Sequence, residues 1–195
     1  MGKIFLLMGK SASGKDTIYT RLLNDKRLGL KPYVGYTTRP IRTGEIEGVE
    51  YHFTTEEQLK EYENSGRLIE KRVYHTVHGD WYYYSVDDGA DLENNDYIYI
   101  GTLESYLKMR DYYGPEKVVP IYIEVDDGIR LLRAVQRELN EENPKYREVC
   151  RRFLGDDDDF SEANLKAAGI ERRYENIDGE KCLKEIYTEV FNVEY

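Results

Sequence analysis

Cysteine is nearly absent. The chain of 195 residues has two, Cys150 and Cys182, with no CxxC pair and no Cys/His spacing suited to zinc. That argues against a disulfide scaffold and a zinc module, and a reduced cytoplasmic protein is the expectation. Long hydrophobic runs are missing too. The apolar stretch near the start, Ile4 to Met8, is shorter than a signal-peptide core and far short of a membrane span. The expectation is a soluble, intracellular chain with no membrane contact. Basic charge is in deficit, 28 Lys plus Arg against 38 Asp plus Glu, for a net charge of −10. An acidic total argues against general nucleic-acid binding, which rests on a broad basic face. A small anion held at one local basic site remains open. The charge is uneven: residues 1–50 hold nine basic and five acidic side chains, net +4, which leaves −14 for the rest. Repeats, low-complexity linkers and a proline-rich tether are also lacking, and the length suits one domain with inserted subdomains.

What is abundant is tyrosine, 19 residues. A tyrosine buries its ring and keeps a hydroxyl for hydrogen bonding, so most belong in strands and core. One or two are enough for a ligand.

Ile4 to Met8 reads as a parallel strand covered on both faces. Glycines follow at 9 and 14, and Asp16 to Leu23 reads as a helix. Thr54-x-x-Glu57 predicts a capping box opening a helix to about Asn64. Arg67–Tyr74 and Trp81–Ser85 are β-rich and predict a hairpin around His78-Gly79-Asp80. Tyr97–Ile100 and Val118–Val125 read as buried strands, Tyr146–Leu154 as an Arg-rich helix and Lys181–Phe191 as a closing amphipathic helix. Alternating strands and helices imply a three-layer α/β core with a mostly parallel sheet, into which a β-rich block at about 33–90 is inserted.

The strongest local motif is Gly9-Lys10-Ser11-Ala12-Ser13-Gly14-Lys15-Asp16-Thr17. It fits G-x-x-x-x-G-K between a strand and a helix. Backbone N–H groups at a helix N-terminus, aided by the dipole, cradle phosphates there, and Lys15 adds a point charge. These nine residues are the candidate ATP phosphate loop. Asp16 stands where a hydroxyl ligand to magnesium is usual. It could ligate Mg2+ through oxygen but adds negative charge, while Thr17 faces about 100° away on the helix.

A second constellation, Thr37-Thr38-Arg39-Pro40-Ile41-Arg42-Thr43-Gly44-Glu45 running on to Gly48, Tyr51 and Phe53, sets two guanidinium groups three residues apart in a glycine-punctuated loop. Arginine suits oriented grip on a phosphate. The plain alternative is a solvated loop whose arginines pair with Glu45 and Glu47. This stretch resembles the signature of guanylate kinases, T-[ST]-R-x-x-[KR] followed by an acidic residue, a glycine and an aromatic tail. The likeness extends, more thinly, over nearly the whole chain.

The resemblance implies a P-loop kinase core (about 1–32, 95–136 and 156–195), an inserted monophosphate-binding subdomain (about 33–94) and a helical lid (about 137–155). It implies transfer of a phosphoryl group from ATP to GMP, with Mg2+ as cofactor and no obligate protein partner. Arg39, Arg42, Tyr51 and Tyr83 would hold the acceptor phosphate, with Glu45 in the same signature. Glu70 would read the guanine edge beside Ser85. Arg133, Arg137 and Arg152 resemble the lid arginines that close over the donor, and Asn176 would lie near the donor adenine. Lys15, Arg39, Arg137 and Arg152 would carry the catalysis.

Departures from the family pattern are Gly35 in place of a hydroxyl residue, Thr102 in a strand end that usually carries carboxylates, and Tyr84 after the tyrosine pair in place of glycine. These motivate an alternative acceptor on the same fold. A third reading is a non-catalytic phosphopeptide-binding module, against which Lys15 stands. Tyr84 is expected in the core rather than stacked on a base. His52, His75 and His78 have no ligand spacing and read as surface or satisfied residues. Asp156–Asp159 reads as a solvated charge run, or else as a partner of Arg151 and Arg152.

Overall fold

The five residues Ile4–Met8 form β1, and all are buried, because this strand runs down the middle of a parallel sheet. The structure, a computed structural model, describes residues 2–76 and 79–195. After β1 come α1 (Lys15–Asn24), β2 (Lys31–Pro32), β3 (Tyr36–Thr37), β4 (His52–Phe53), α2 (Glu56–Asn64), β5 (Leu68–Thr76) and β6 (Gly79–Val86). The second half holds β7 (Tyr97–Ile100), α3 (Leu103–Tyr113), β8 (Val118–Glu124), α4 (Asp127–Leu139), α5 (Tyr146–Asp159), α6 (Glu162–Ala167), β9 (Arg173–Glu175) and α7 (Gly179–Glu189).

One sheet has the order β2-β7-β1-β8-β9, with every pairing parallel. Alternate β1 residues feed two separate cores, as a strand's two-residue period requires. Ile4, Leu6 and Met8 pack with Tyr106 and Met109 of α3 and Leu165 of α6. Phe5 and Leu7 pack with Ile18 and Leu22 of α1 and Leu183 and Ile186 of α7. The result is an α/β, three-layer core with a parallel sheet between two helical layers, as expected.

The second sheet, β4-β3-β6-β5, has its own small core of Tyr36, Leu59, Tyr84 and Val86 beneath α2. Tyr84 stacks on Tyr36 with centroids 5.4 Å apart, which puts it in the core as expected. The capping box of α2 is shifted by one residue from the expected Thr54/Glu57. Thr55 is the N-cap, and it exchanges bonds with Gln58, because the Thr54 hydroxyl is turned inward to the Thr37 carbonyl and the Tyr84 hydroxyl. The hairpin differs as well: Gly79 and Asp80 belong to β6, paired with Thr76 and His75, and His78 lies outside the described residues. α5 continues five residues beyond the expected Leu154, and α7 begins two residues before Lys181. α6 and β9, both short, have no counterpart in the sequence reading. Among the described residues no helix is long and apolar enough to cross a membrane. Both cysteines are free, with Cys182 buried and Cys150 exposed.

Candidate active site

The phosphate loop joins β1 to α1, and its glycines sit where side chains have no room. A Cβ on Gly9 would lie 2.5 Å from the Ile123 carbonyl oxygen, and one on Gly14 would lie 2.5 Å from Asn176 Nδ2. Gly14 also takes φ 83° as the N-cap of α1, with no side chain capping the helix. Helix-initial N–H groups lack intrahelical acceptors, so this end of α1 is open to an anion. Ala12 is left-handed at φ 62°, an uncommon state for a residue with a Cβ. Ser13 is 1% exposed, donates its N–H to Lys10 and receives Asn176 Nδ2 on its carbonyl at 2.7 Å. Its Oγ has no partner among the described residues.

Lys15 is half-buried and pairs with no carboxylate among the described residues. Asp16 and Thr17 are exposed on the first turn of α1. No group of three or more His, Cys, Asp or Glu side chains suited to a metal occurs among the described residues. Asp16 therefore fits only the mode typical of magnesium, one carboxylate working beside substrate phosphates.

Behind the loop lies an ionic corner that the sequence reading assigned differently. Arg130, 1% exposed, donates from Nε to Asp127 Oδ1 at 2.8 Å, and its two other nitrogens reach Asp156 and Asp157. Lys10 reaches Asp157 at 2.7 Å and Asp127 at 3.2 Å. The Ser11 N–H donates to Asp156 Oδ2 at 2.7 Å, and the Ser11 carbonyl accepts from Arg130. Asp156 and Asp157 are thus ion-paired within this corner, Asp158 and Asp159 are exposed as a solvated run would be, and Arg151 and Arg152 both pair with Glu148 instead. Those two arginines hold the Glu148 carboxyl down at about 2.

Ser11, Arg137 and Arg152 nevertheless line one cavity between α4 and α5, together with Phe153. Arg133 points elsewhere and donates to the Asn176 carbonyl at 3.0 Å. The amide of Asn176 is occupied beneath the loop, so what the structure gives it is a bracing contact.

The second constellation gathers on and around β3, β4 and β6. Arg39 is 3% exposed, forms a two-pronged bond to Glu45 at 2.6 and 2.7 Å and donates from Nε to the Tyr83 hydroxyl at 3.0 Å. Its guanidinium stands over the Tyr51 and Phe53 rings at 5.2 and 5.3 Å. Arg42 is exposed, and its backbone N–H also donates to Glu45. Glu47 pairs with His52 and the Phe53 N–H instead of an arginine.

The Arg39 bonds hold the Glu45 carboxyl at about 2. A carboxyl depressed in the folded state adds stability above its ordinary value, and that stability is lost as pH falls through the folded value. Glu45→Gln should therefore lower the melting temperature at neutral pH, and the gap from the parent should close between about pH 4.5 and 2. Melting curves that stay parallel across that window would show that the pair contributes nothing.

Glu70 has a side chain only 1% exposed. Its Oε1 accepts from Ser85 Oγ at 3.1 Å and Ser105 Oγ at 3.2 Å, and its Oε2 from Arg72 Nε at 3.2 Å. Tyr99 bonds Ser85 at 3.0 Å, and burial pushes its hydroxyl up to about 12. A side chain on Gly35 would meet that hydroxyl 3.3 Å away, so Tyr99 brings a hydroxyl to the place where the family pattern has one on residue 35. Thr102 is the N-cap of α3. Arg72, Tyr99 and Ser105 were not among the expected site residues. The alternation from Glu70 to Arg72 along β5 is the one signal that pointed to any of them.

Residues 1–86 match the guanylate kinase family. The chain is 41% identical over 73 residues to a guanylate kinase of Mycoplasmoides gallisepticum, covering 37% of each sequence. It is 30% identical over 181 residues to one of Mesoplasma florum, covering 87% of this chain and 51% of that one. The chain thus spans about half or less of the length of these curated relatives. Among solved structures, guanylate kinase from Anaplasma phagocytophilum superposes with a TM-score of 0.67 at 20% identity, over 98% of this chain and 85% of that one. The chain is thus similar to guanylate kinases in sequence over its first 86 residues and in fold over nearly its full length.

Proposed function

We propose that this chain transfers the terminal phosphoryl group of ATP to a nucleoside monophosphate, GMP first among them, giving GDP and ADP. The observation that carries the reading is Lys15. A cation at the positive end of a helix dipole is unfavourable, and in a chain of net charge −10 it still has no carboxylate partner among the described residues. Such a residue suits a phosphate, and the uncapped N–H groups of α1 lie beside it.

Phosphoryl transfer asks the protein for alignment and spread positive charge, with little covalent help. Lys15 and the loop N–H groups would hold the donor phosphates, with Arg137 and Arg152 lining the neighbouring cavity. Arg39, Arg42, Tyr51 and Tyr83 would grip the acceptor phosphate, whose oxygen is itself the nucleophile, so no general base is needed. Water excluded from the closed cleft cannot intercept ATP. Asp16 would hold Mg2+ together with the nucleotide's phosphates, and the bound ion would neutralise charge on the transferring group.

Coupled ADP-release assays with GMP, dGMP, AMP, UMP and no acceptor test this. Turnover is expected on GMP and dGMP, with AMP and UMP far weaker. Absence of turnover on every monophosphate sinks the proposal, and preference for another base reassigns the acceptor. Titrating magnesium in Asp16→Ser tests the metal assignment, which an unchanged dependence would remove.

A further inference from the structure

On β5 and β6, Glu70 lies across from Ser85 and Arg72 across from Tyr83. Residues two apart on a strand share a face, so these four side chains form a single patch. It runs from the carboxylate proposed to read the base to the tyrosine proposed to grip the phosphate. Tyr83 also accepts from Arg39 at 3.0 Å and packs edge-on against Tyr51 with centroids 5.4 Å apart. Arg72 therefore lies on the side of the sheet that faces the cleft.

Its bonds close a ring. Nε donates to Glu70 Oε2, Nη1 donates to Thr102 Oγ1 at 3.4 Å, Thr102 bonds Ser105 at 3.1 Å, and Ser105 returns to Glu70 Oε1. This ring fixes the guanidinium plane, and Nη2 has no partner among the described residues. Glu70, by contrast, is nearly saturated. A carboxylate has about four lone-pair sites, and three donors already use it. About one site remains for a base, too few to accept both N1–H and N2–H of guanine.

We infer that Arg72 is a specificity-determining residue, whose guanidinium donates to O6 and N7 of a 6-oxopurine while Glu70 accepts from N1–H. This rests on the acceptor being a purine monophosphate as proposed above, and it adds the residue that selects the base. Guanine presents O6 and N7 as two adjacent acceptors that an arginine fork matches. Adenine would set its N6 amino donors against the guanidinium and its N1 lone pair against the carboxylate, which leaves polar groups unpaired. The class selected is therefore GMP and IMP together, against AMP.

The test is steady-state kinetics of the parent, Arg72→Ala and Arg72→Lys with GMP, IMP and 7-deaza-GMP, which has carbon in place of N7. Arg72→Ala should raise KM for GMP and IMP alike by about ten- to a hundredfold. In the parent, 7-deaza-GMP should show a KM about tenfold above GMP, and that difference should vanish in Arg72→Ala. Lysine keeps the charge without the fork, so Arg72→Lys should recover only part of the loss. An unchanged KM for GMP in Arg72→Ala would overturn the inference. So would a 7-deaza penalty that persists in that variant, since Arg72 would then act only by holding Glu70. Lack of turnover on GMP by the parent would overturn the proposed function and this inference together.

Discussion

Replacing Lys15 by Met should leave the fold intact and cut kcat by on the order of 10³-fold, the loss expected when one preorganised charge is taken from a transferring phosphoryl group. Met keeps the apolar stem of the side chain and removes only the cation. Lys15 stands at the first residue of α1, where the dipole opposes it. The melting temperature of the variant should therefore equal or exceed that of the parent. This pairing of lost activity with undiminished stability separates a functional charge from a structural one. A variant that keeps kcat within about threefold, read by the coupled assay, would remove Lys15 from the mechanism.

The second large effect is expected at Arg130. Its guanidinium joins the start of α4, the phosphate loop and the end of α5. It also lies 4.3 Å above the Phe153 ring. Taking one partner from a buried ion cluster costs about 3–5 kcal/mol, because the remaining charges are stranded. For Arg130→Met the stranded charges are Asp127, Asp156 and Asp157, with Lys10 alone to oppose them. At roughly 2–4 °C per kcal/mol for a chain of this size, the melting temperature should fall by about 10 °C. KM for ATP should rise as well, since Ser11 loses a fixed neighbour. Adding Asp156→Asn to the variant should recover part of the loss. A melting temperature within about 2 °C of the parent would mean that the cluster is solvated and contributes little.

The features legible in the sequence were those written in consecutive residues. Ile4–Met8, the glycines at 9 and 14 and the helix behind them follow one another in the order the phosphate loop requires. Arg39, Arg42, Glu45 and Tyr51 likewise belong to one continuous motif. What the sequence hid was pairing across distance. Asp156 meets Ser11 from 145 residues away, and nothing local in four consecutive aspartates says which ones are held. Arg72 sits in a hairpin among other charged residues, and only the register that sets it across from Tyr83 gives it a place in the site. The capping box slipped by one because two adjacent threonines each have a suitable residue three positions on. The choice was made by Thr37 and Tyr84, which claim the hydroxyl of the first. Propensity could not decide between them. Tertiary contact did.

The bonds from Asp156 and Asp157 also determine how α5 can move. A helix of 14 residues is a rod about 21 Å long, and this one is fastened at its last turn, leaving that turn as the pivot. Tyr146 lies ten residues from Asp156, about 15 Å along the axis, and Arg152 only four residues, about 6 Å. A swing of about 20° about the fastened end would carry Tyr146 through about 5 Å but Arg152 through only about 2 Å. The rod is thus a lever with Arg152 on its short arm. Such a swing would widen the far end of the cavity between α4 and α5 while Arg152 moved least.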